Sequence, residues 1–215
     1  MDGFSAQDFA LLQRIGAGAA EGEEFAAGAD ALWDKTERLI AHLGTGLFGD
    51  GGYSAALWPD DGNGERGPFL WARLKRAGSE RFATHIGVFL SPGLCNLAID
   101  LEKDPIDAGE SAESLAQVLD FYRDEALGLV DPPARPDLAV WTDTGNVVPA
   151  GELGAIHFAD FMAANRDAGH PWPKVGYLLN AETVVDFGDD WLVEYHPRAV
   201  PLVPIYDAML RSFTG

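Results

Sequence analysis

A single cysteine, Cys95, stands in 215 residues, so no intrachain disulfide and no cysteine-built metal knuckle can form. Positive charge is scarce. Fifteen Lys and Arg face 34 Asp and Glu, and the formal charge is −19. The excess is even along the chain, with 17 acids in residues 1–108 and 17 in residues 109–215, so no acidic tail explains it. Duplex DNA and anionic membranes repel such a surface, because binding them depends on Lys and Arg neutralising phosphate. The one concentration of bases is Arg73, Lys75, Arg76 and Arg81. No apolar run approaches the ~20 residues of a membrane span. Met1-Asp2-Gly3-Phe4 lacks the basic start and apolar stretch of a signal peptide. The expectation is a soluble, cytoplasmic protein that does not engage a membrane, with nucleic acid disfavoured.

Reaction motifs are missing as well. There is no Gly-x-Ser-x-Gly elbow, no His-Glu-x-x-His and no Cys-x-x-Cys. Gly16-Ala17-Gly18 is followed by no Lys-Ser/Thr and preceded by no strand, which excludes a phosphate loop. Asp60-Asp61-Gly62-Asn63-Gly64 resembles a calcium loop, but Glu65 comes too early to close one. No cofactor and no metal is expected.

What is present is an ordinary globular composition, 47% apolar and 23% charged, rich in turns through 25 Gly and 13 Pro. Residues 5–15 read as a short helix capped by Ser5, with Phe9, Leu12 and Ile15 on one side. Residues 26–43 read as a longer one, with Ala29, Leu32, Trp33, Thr36, Ile40 and Leu43 at three- and four-residue spacing and Gly44 as its stop. Further helices are expected at 110–128, 155–165 and 202–213. The last carries Leu202, Ile205, Tyr206, Met209, Leu210 and Phe213, with Pro201 and Pro204 confined to its first turn. Strands are expected at Tyr53–Trp58, 69–76, 84–90, 94–101 and 138–142. Residues 174–179 and 183–187 read as a hairpin across Asn180-Ala181-Glu182. His170 and His196 each precede proline and are expected in loops. The whole is an α+β fold: a mostly antiparallel sheet whose central hairpin, about 84–101, packs against several amphipathic helices. Residues 1–215 are read as one domain, with 1–25 a peripheral helical segment.

The hairpin register follows from its pattern. With Pro92-Gly93 at the turn, Leu90 pairs with Cys95, Val88 with Leu97 and Ile86 with Ile99, which puts the apolar pairs on one face. The other face carries Phe89 with Asn96, Gly87 with Ala98 and His85 with Asp100. In the preceding strand Leu70, Ala72 and Leu74 point one way, and Phe69, Trp71, Arg73 and Lys75 the other.

His85 opposite Asp100 is the candidate catalytic pair, because a carboxylate beside an imidazole fixes the ring and favours its protonated form. Trp71, Arg73, Lys75, Asn96 and Glu102 are the candidate binding residues around it. Asp100 and Glu102 with His85 have the chemistry to hold a divalent ion, but such triplets arise by chance in so acidic a chain, and no metal is assigned. His157 and Asp160 form a weak His-x-x-Asp pair. Cys95, inside an apolar run, is expected to be an inert buried thiol. With no complete catalytic signature, the expected function is a binding or interaction protein whose partner is another protein or a small molecule. The alternative is a small hydrolase using His85 and Asp100, and whether the chain is an enzyme stays open. A third reading, single-stranded nucleic-acid contact through Trp71, Arg73, Lys75 and Arg76, requires those groups exposed together.

Overall fold

The computed structural model describes residues 2–18, 23–60, 66–101, 137–141, 147–149 and 174–214. Seven strands form one sheet: β1 (Tyr53–Asp60), β2 (Arg66–Arg76), β3 (Thr84–Ser91), β4 (Leu94–Leu101), β5 (Ala139–Trp141), β6 (Val147–Pro149) and β7 (Lys174–Asn180). Their order is β1-β2-β3-β4-β7-β5-β6. The pairs β1/β2, β5/β6 and β5/β7 are antiparallel. The described residues also form five α-helices: α1 (Ala6–Gly16), α2 (Glu23–Phe48), α3 (Ala181–Asp186), α4 (Trp191–Ala199) and α5 (Leu202–Thr214). The chain is α+β, a sheet packed against helices. Among the described residues no helix is long and apolar enough to cross a membrane. Two compact units can be distinguished, one of Met1–Ala77, Gly87–Leu97 and Leu178–Val200, the other of Gly78–Ile86, Ala98–Tyr177 and Pro201–Gly215.

In the first unit, α1 starts where Asp8 Oδ2 accepts from the Ser5 backbone N–H at 2.7 Å and the Ser5 hydroxyl at 2.9 Å. Lys35 of α2 bonds the same oxygen at 2.7 Å, tying the two helices together. α1 buries Phe9 and Leu12; α2 buries Leu32, Leu39, Ile40 and Leu43. α2 does not stop at Gly44 as its sequence suggested. It runs on to Phe48 and ends before Gly49, whose φ of +80° suits only glycine. Gly44 serves packing instead, since a Cβ there would sit 2.5 Å from the Tyr53 ring at the start of β1.

The β1/β2 register sets Tyr53 opposite Arg76 and Ala56 opposite Arg73. Alternation holds on β2, where Leu70, Ala72 and Leu74 are buried. The expected strand 183–187 is a correction: those residues belong largely to α3. The Asn180 side chain accepts from Thr183 N–H at 2.7 Å and starts a helix that the β-branched Thr183-Val184-Val185 would not start unaided. The loop expected around His196 is a second correction. His196 and Pro197 lie inside α4. Pro197 removes the bond to the carbonyl of Val193, and that residue is 65% exposed, so solvent can replace the lost donor.

In the second unit α5 buries Leu202, Ile205, Tyr206 and Met209, as its period requires. It is tied by Ser79 Oγ and Tyr206 Oη at 2.7 Å, and by the Thr84 hydroxyl donating to Met209 Sδ at 3.7 Å. The expected helices at 110–128 and 155–165 lie outside the described residues, as do Glu102, His157, Asp160 and His170.

Candidate functional site

β3 and β4 leave only Pro92-Gly93 between them, and Gly93 is not among the glycines with positive φ. An L-proline at the first turn position excludes the primed hairpin turns, so the apolar pattern rather than turn chemistry specifies the register. Ile86, Val88, Leu90, Cys95, Leu97 and Ile99 are all fully buried. The alternate positions are nearly as enclosed: His85 is fully buried, and Asn96 and Asp100 are each 9% exposed. The hairpin is therefore covered on both sides, and its polar residues need partners within the protein or from a ligand.

In the second unit those partners are visible. Asp100 Oδ1 accepts from the Leu101 backbone N–H at 2.8 Å, and Oδ2 lies 3.5 Å from Lys174 Nζ on β7. His85 Nδ1 is 3.2 Å from the carbonyl oxygen of Ala83. Both carboxylate oxygens are thus engaged by structural groups, and the imidazole is engaged at its Nδ1.

In the first unit the candidate binding residues divide. Trp71 and Arg73 are half-buried, whereas Lys75 is 1% exposed. A buried ammonium cannot reach a phosphate, and Arg76 lies over the Phe48 ring at 4.7 Å. The basic–aromatic strip required for nucleic acid is therefore not presented as one surface. Asn96 differs from all of these. Its Oδ1 is buried and has no hydrogen-bond partner among the described residues. At an alternate position of β3, Phe89 meets Phe69 of β2, with ring centres 5.6 Å apart and planes tilted by 31°.

On the apolar set, Cys95 accepts from the Tyr195 hydroxyl of α4 at 2.7 Å. Burial pushes the thiol up to about 12, although the bond from Tyr195 works in the opposite direction. Burial, then the proximity of Cys95, raise Tyr195 well above its ordinary value. Both stay neutral, and Cys95 is a structural thiol.

Sequence reasoning missed one pair. His42 of α2 and His196 of α4 face each other with ring centres 6.1 Å apart. No spacing signal links residues so distant in the chain, and reading His196 into a loop hid its helical partner. Among the described residues no group of three or more His, Cys, Asp or Glu is gathered around a potential metal position. No protein-family model and no curated protein matches this chain.

Proposed function

We propose that the protein is a non-catalytic binding protein for a small ligand, read by the Asn96 amide beside the aromatic pair Phe69–Phe89. One observation carries the reading: Asn96 is 9% exposed, yet its carbonyl oxygen has no protein donor among the described residues. Burying an acceptor without a donor costs roughly 1–3 kcal/mol. Buried groups of this kind are rare and are commonly completed by a bound molecule or an ordered water. The register expected from the apolar pattern, with only Pro92-Gly93 between the strands, sets Phe89 across from Asn96 and so puts aromatic surface beside the open acceptor. That combination suits a planar ligand with an N–H donor on its edge, such as a heteroaromatic amide or a nucleobase.

The engagement of both Asp100 oxygens by structural groups weighs against the hydrolase alternative. Acid–base work would first have to release Asp100 from Leu101 and Lys174. Two measurements test the reading. Ligand-observed NMR with nicotinamide, adenine and uracil as probes is expected to detect binding to the wild type and none to Asn96→Leu. Hydrolysis of p-nitrophenyl acetate and p-nitrophenyl phosphate is expected to match His85→Gln. Equal probe binding to Asn96→Leu, or wild-type turnover that His85→Gln abolishes, would overturn the proposal.

A further inference from the structure

His42 and His196 come from two helices of the same unit, α2 and α4, and are both half-buried. Their rings meet edge to face at 73°, with centres 6.1 Å apart. The chain makes room for this meeting. A Cβ at Gly46, one turn after His42, would lie 2.6 Å from His196 Cδ2 and 2.7 Å from its Nε2. Glycine inside a helix costs about 1 kcal/mol relative to alanine, so this position gives up helix stability where the imidazole is seated. Neither ring has a hydrogen bond or ion pair to another side chain among the described residues. Two half-buried imidazoles side by side, with no hydrogen bond or ion pair to another side chain among the described residues, are an unused pair of nitrogen donors.

We propose that His42 and His196 form a two-histidine chelate for a divalent late transition ion, with Zn²⁺ the natural occupant and Ni²⁺ or Cu²⁺ acceptable. Imidazole suits these ions, whereas Mg²⁺ and Ca²⁺ demand oxygen. The dimensions fit. A metal ~2.1 Å from a coordinating nitrogen lies roughly 3.2 Å from that ring's centre. Two rings at a tetrahedral angle then have centres roughly 5 Å apart, and a wider angle extends this to roughly 6 Å. The observed separation lies near the upper end of that range, and chelation requires one ring to turn from the edge-to-face arrangement so that both in-plane lone pairs meet at one point. Two protein donors leave the remaining positions to water or an incoming anion, the open coordination of a site that exchanges ligands.

The test is calorimetric titration of the full chain with Zn²⁺ alone, and with Mg²⁺ as a control for the general attraction of so acidic a protein. Saturable Zn²⁺ binding is expected in the wild type, with a loss of more than about tenfold in affinity for His42→Gln and for His196→Gln separately. Gly46→Ala keeps both histidines but crowds the ring of His196, and it should weaken binding as well. Because protons compete for the nitrogens, binding should also weaken as the solution is made acidic. Affinity unchanged in either histidine variant would overturn the chelate, since a single imidazole or an unrelated site would then hold the ion. An equal response to Mg²⁺ would overturn it too. If a histidine variant does not fold, wild type against Gly46→Ala decides: equal Zn²⁺ affinity in the two rejects the proposal.

Discussion

Asn96 and Asp100 stand on one strand, four residues apart, at equivalent positions and with the same 9% exposure. Their circumstances are opposite. Asp100 has both oxygens engaged, by the Leu101 N–H and by Lys174. Asn96 Oδ1 is buried without a donor among the described residues. Burial alone therefore does not distinguish a structural polar residue from a candidate binding residue; the accounting of its hydrogen bonds does. Asp100 holds β4 to β7, and replacing it would unmake a contact. Asn96 Oδ1 has no donor among the described residues, and the proposed binding role rests on that difference.

The largest effect should come from breaking the engaged side of this contrast. Asp100→Ala removes the acceptor of a buried N–H and takes an ion-pair partner from Lys174, whose side chain is 18% exposed. A loss of about 2–4 kcal/mol in unfolding free energy is expected. Asp100→Asn keeps an acceptor for Leu101 and loses only the charge, so its loss should be clearly smaller. Urea unfolding of both variants checks this. Equal stability of Asp100→Ala and the wild type would show that the ion pair and the backbone bond are incidental.

The apolar half of this architecture was legible in the sequence, and the polar accounting was not. The periods of α2 and α5 and the alternation of β2, β3 and β4 each follow from a buried face, and a buried face repeats along the chain. The misreadings have local causes. Gly44 looked like a helix stop because the use of a missing Cβ, here to admit Tyr53, depends on a neighbour elsewhere in the chain. Thr183-Val184-Val185 resembles a strand because it is β-branched, and an asparagine before it reads as readily as a turn residue as the helix cap that Asn180 is. Pro197 looked like a helix breaker because nothing in the sequence announces that the carbonyl it orphans is exposed. The candidate site was legible only as a set of residue types. His85, Asp100 and Asn96 could be placed on alternate positions of a hairpin, but Lys174 as a partner of Asp100, and the lack of a donor for Asn96 Oδ1 among the described residues, are tertiary facts.

Cys95 sharpens the comparison from the apolar set of the hairpin, because it is buried and bonded yet carries no charge. Cys95→Ala removes the sulfur and leaves the buried Tyr195 hydroxyl without its acceptor, so a loss of about 2 kcal/mol is expected at neutral pH. That loss should depend on pH in a defined direction. Burial raises the thiol from 9.0 to about 12, so the folded state holds this proton more tightly than the unfolded chain does. The stability it contributes is complete below about 9 and declines as pH rises towards about 12. Tyr195, also raised, keeps its own alkaline dependence in the variant. The gap between wild type and Cys95→Ala should therefore narrow through the mildly alkaline range. A gap that stays constant from pH 7 to 11 would mean that the thiol is not desolvated as described, and rapid labelling of the native protein by a thiol reagent would say the same.

The smallest expected effect, and the one of opposite sign, belongs to Asn96. Leucine nearly matches asparagine in size and branching, so Asn96→Leu changes polarity with little change of shape. Removing an unsatisfied buried acceptor relieves part of a penalty of roughly 1–3 kcal/mol. Imperfect packing of the new methyl groups returns some of that gain. The net expectation is a variant about 1 kcal/mol more stable than the wild type in urea unfolding, with unchanged dependence on denaturant. Such a gain is the usual signature of a residue kept for binding at the expense of the fold. A loss of comparable size would carry the opposite meaning: an internal water would then satisfy Oδ1 in the free protein, Asn96 would join Asp100 among the structural residues, and the proposed ligand would have no open group to meet. Because the two residues share a strand and a degree of exposure, Asp100→Leu is the matched control. It should be destabilised where Asn96→Leu is stabilised, and only that difference in sign separates a group the fold uses from a group the fold merely carries.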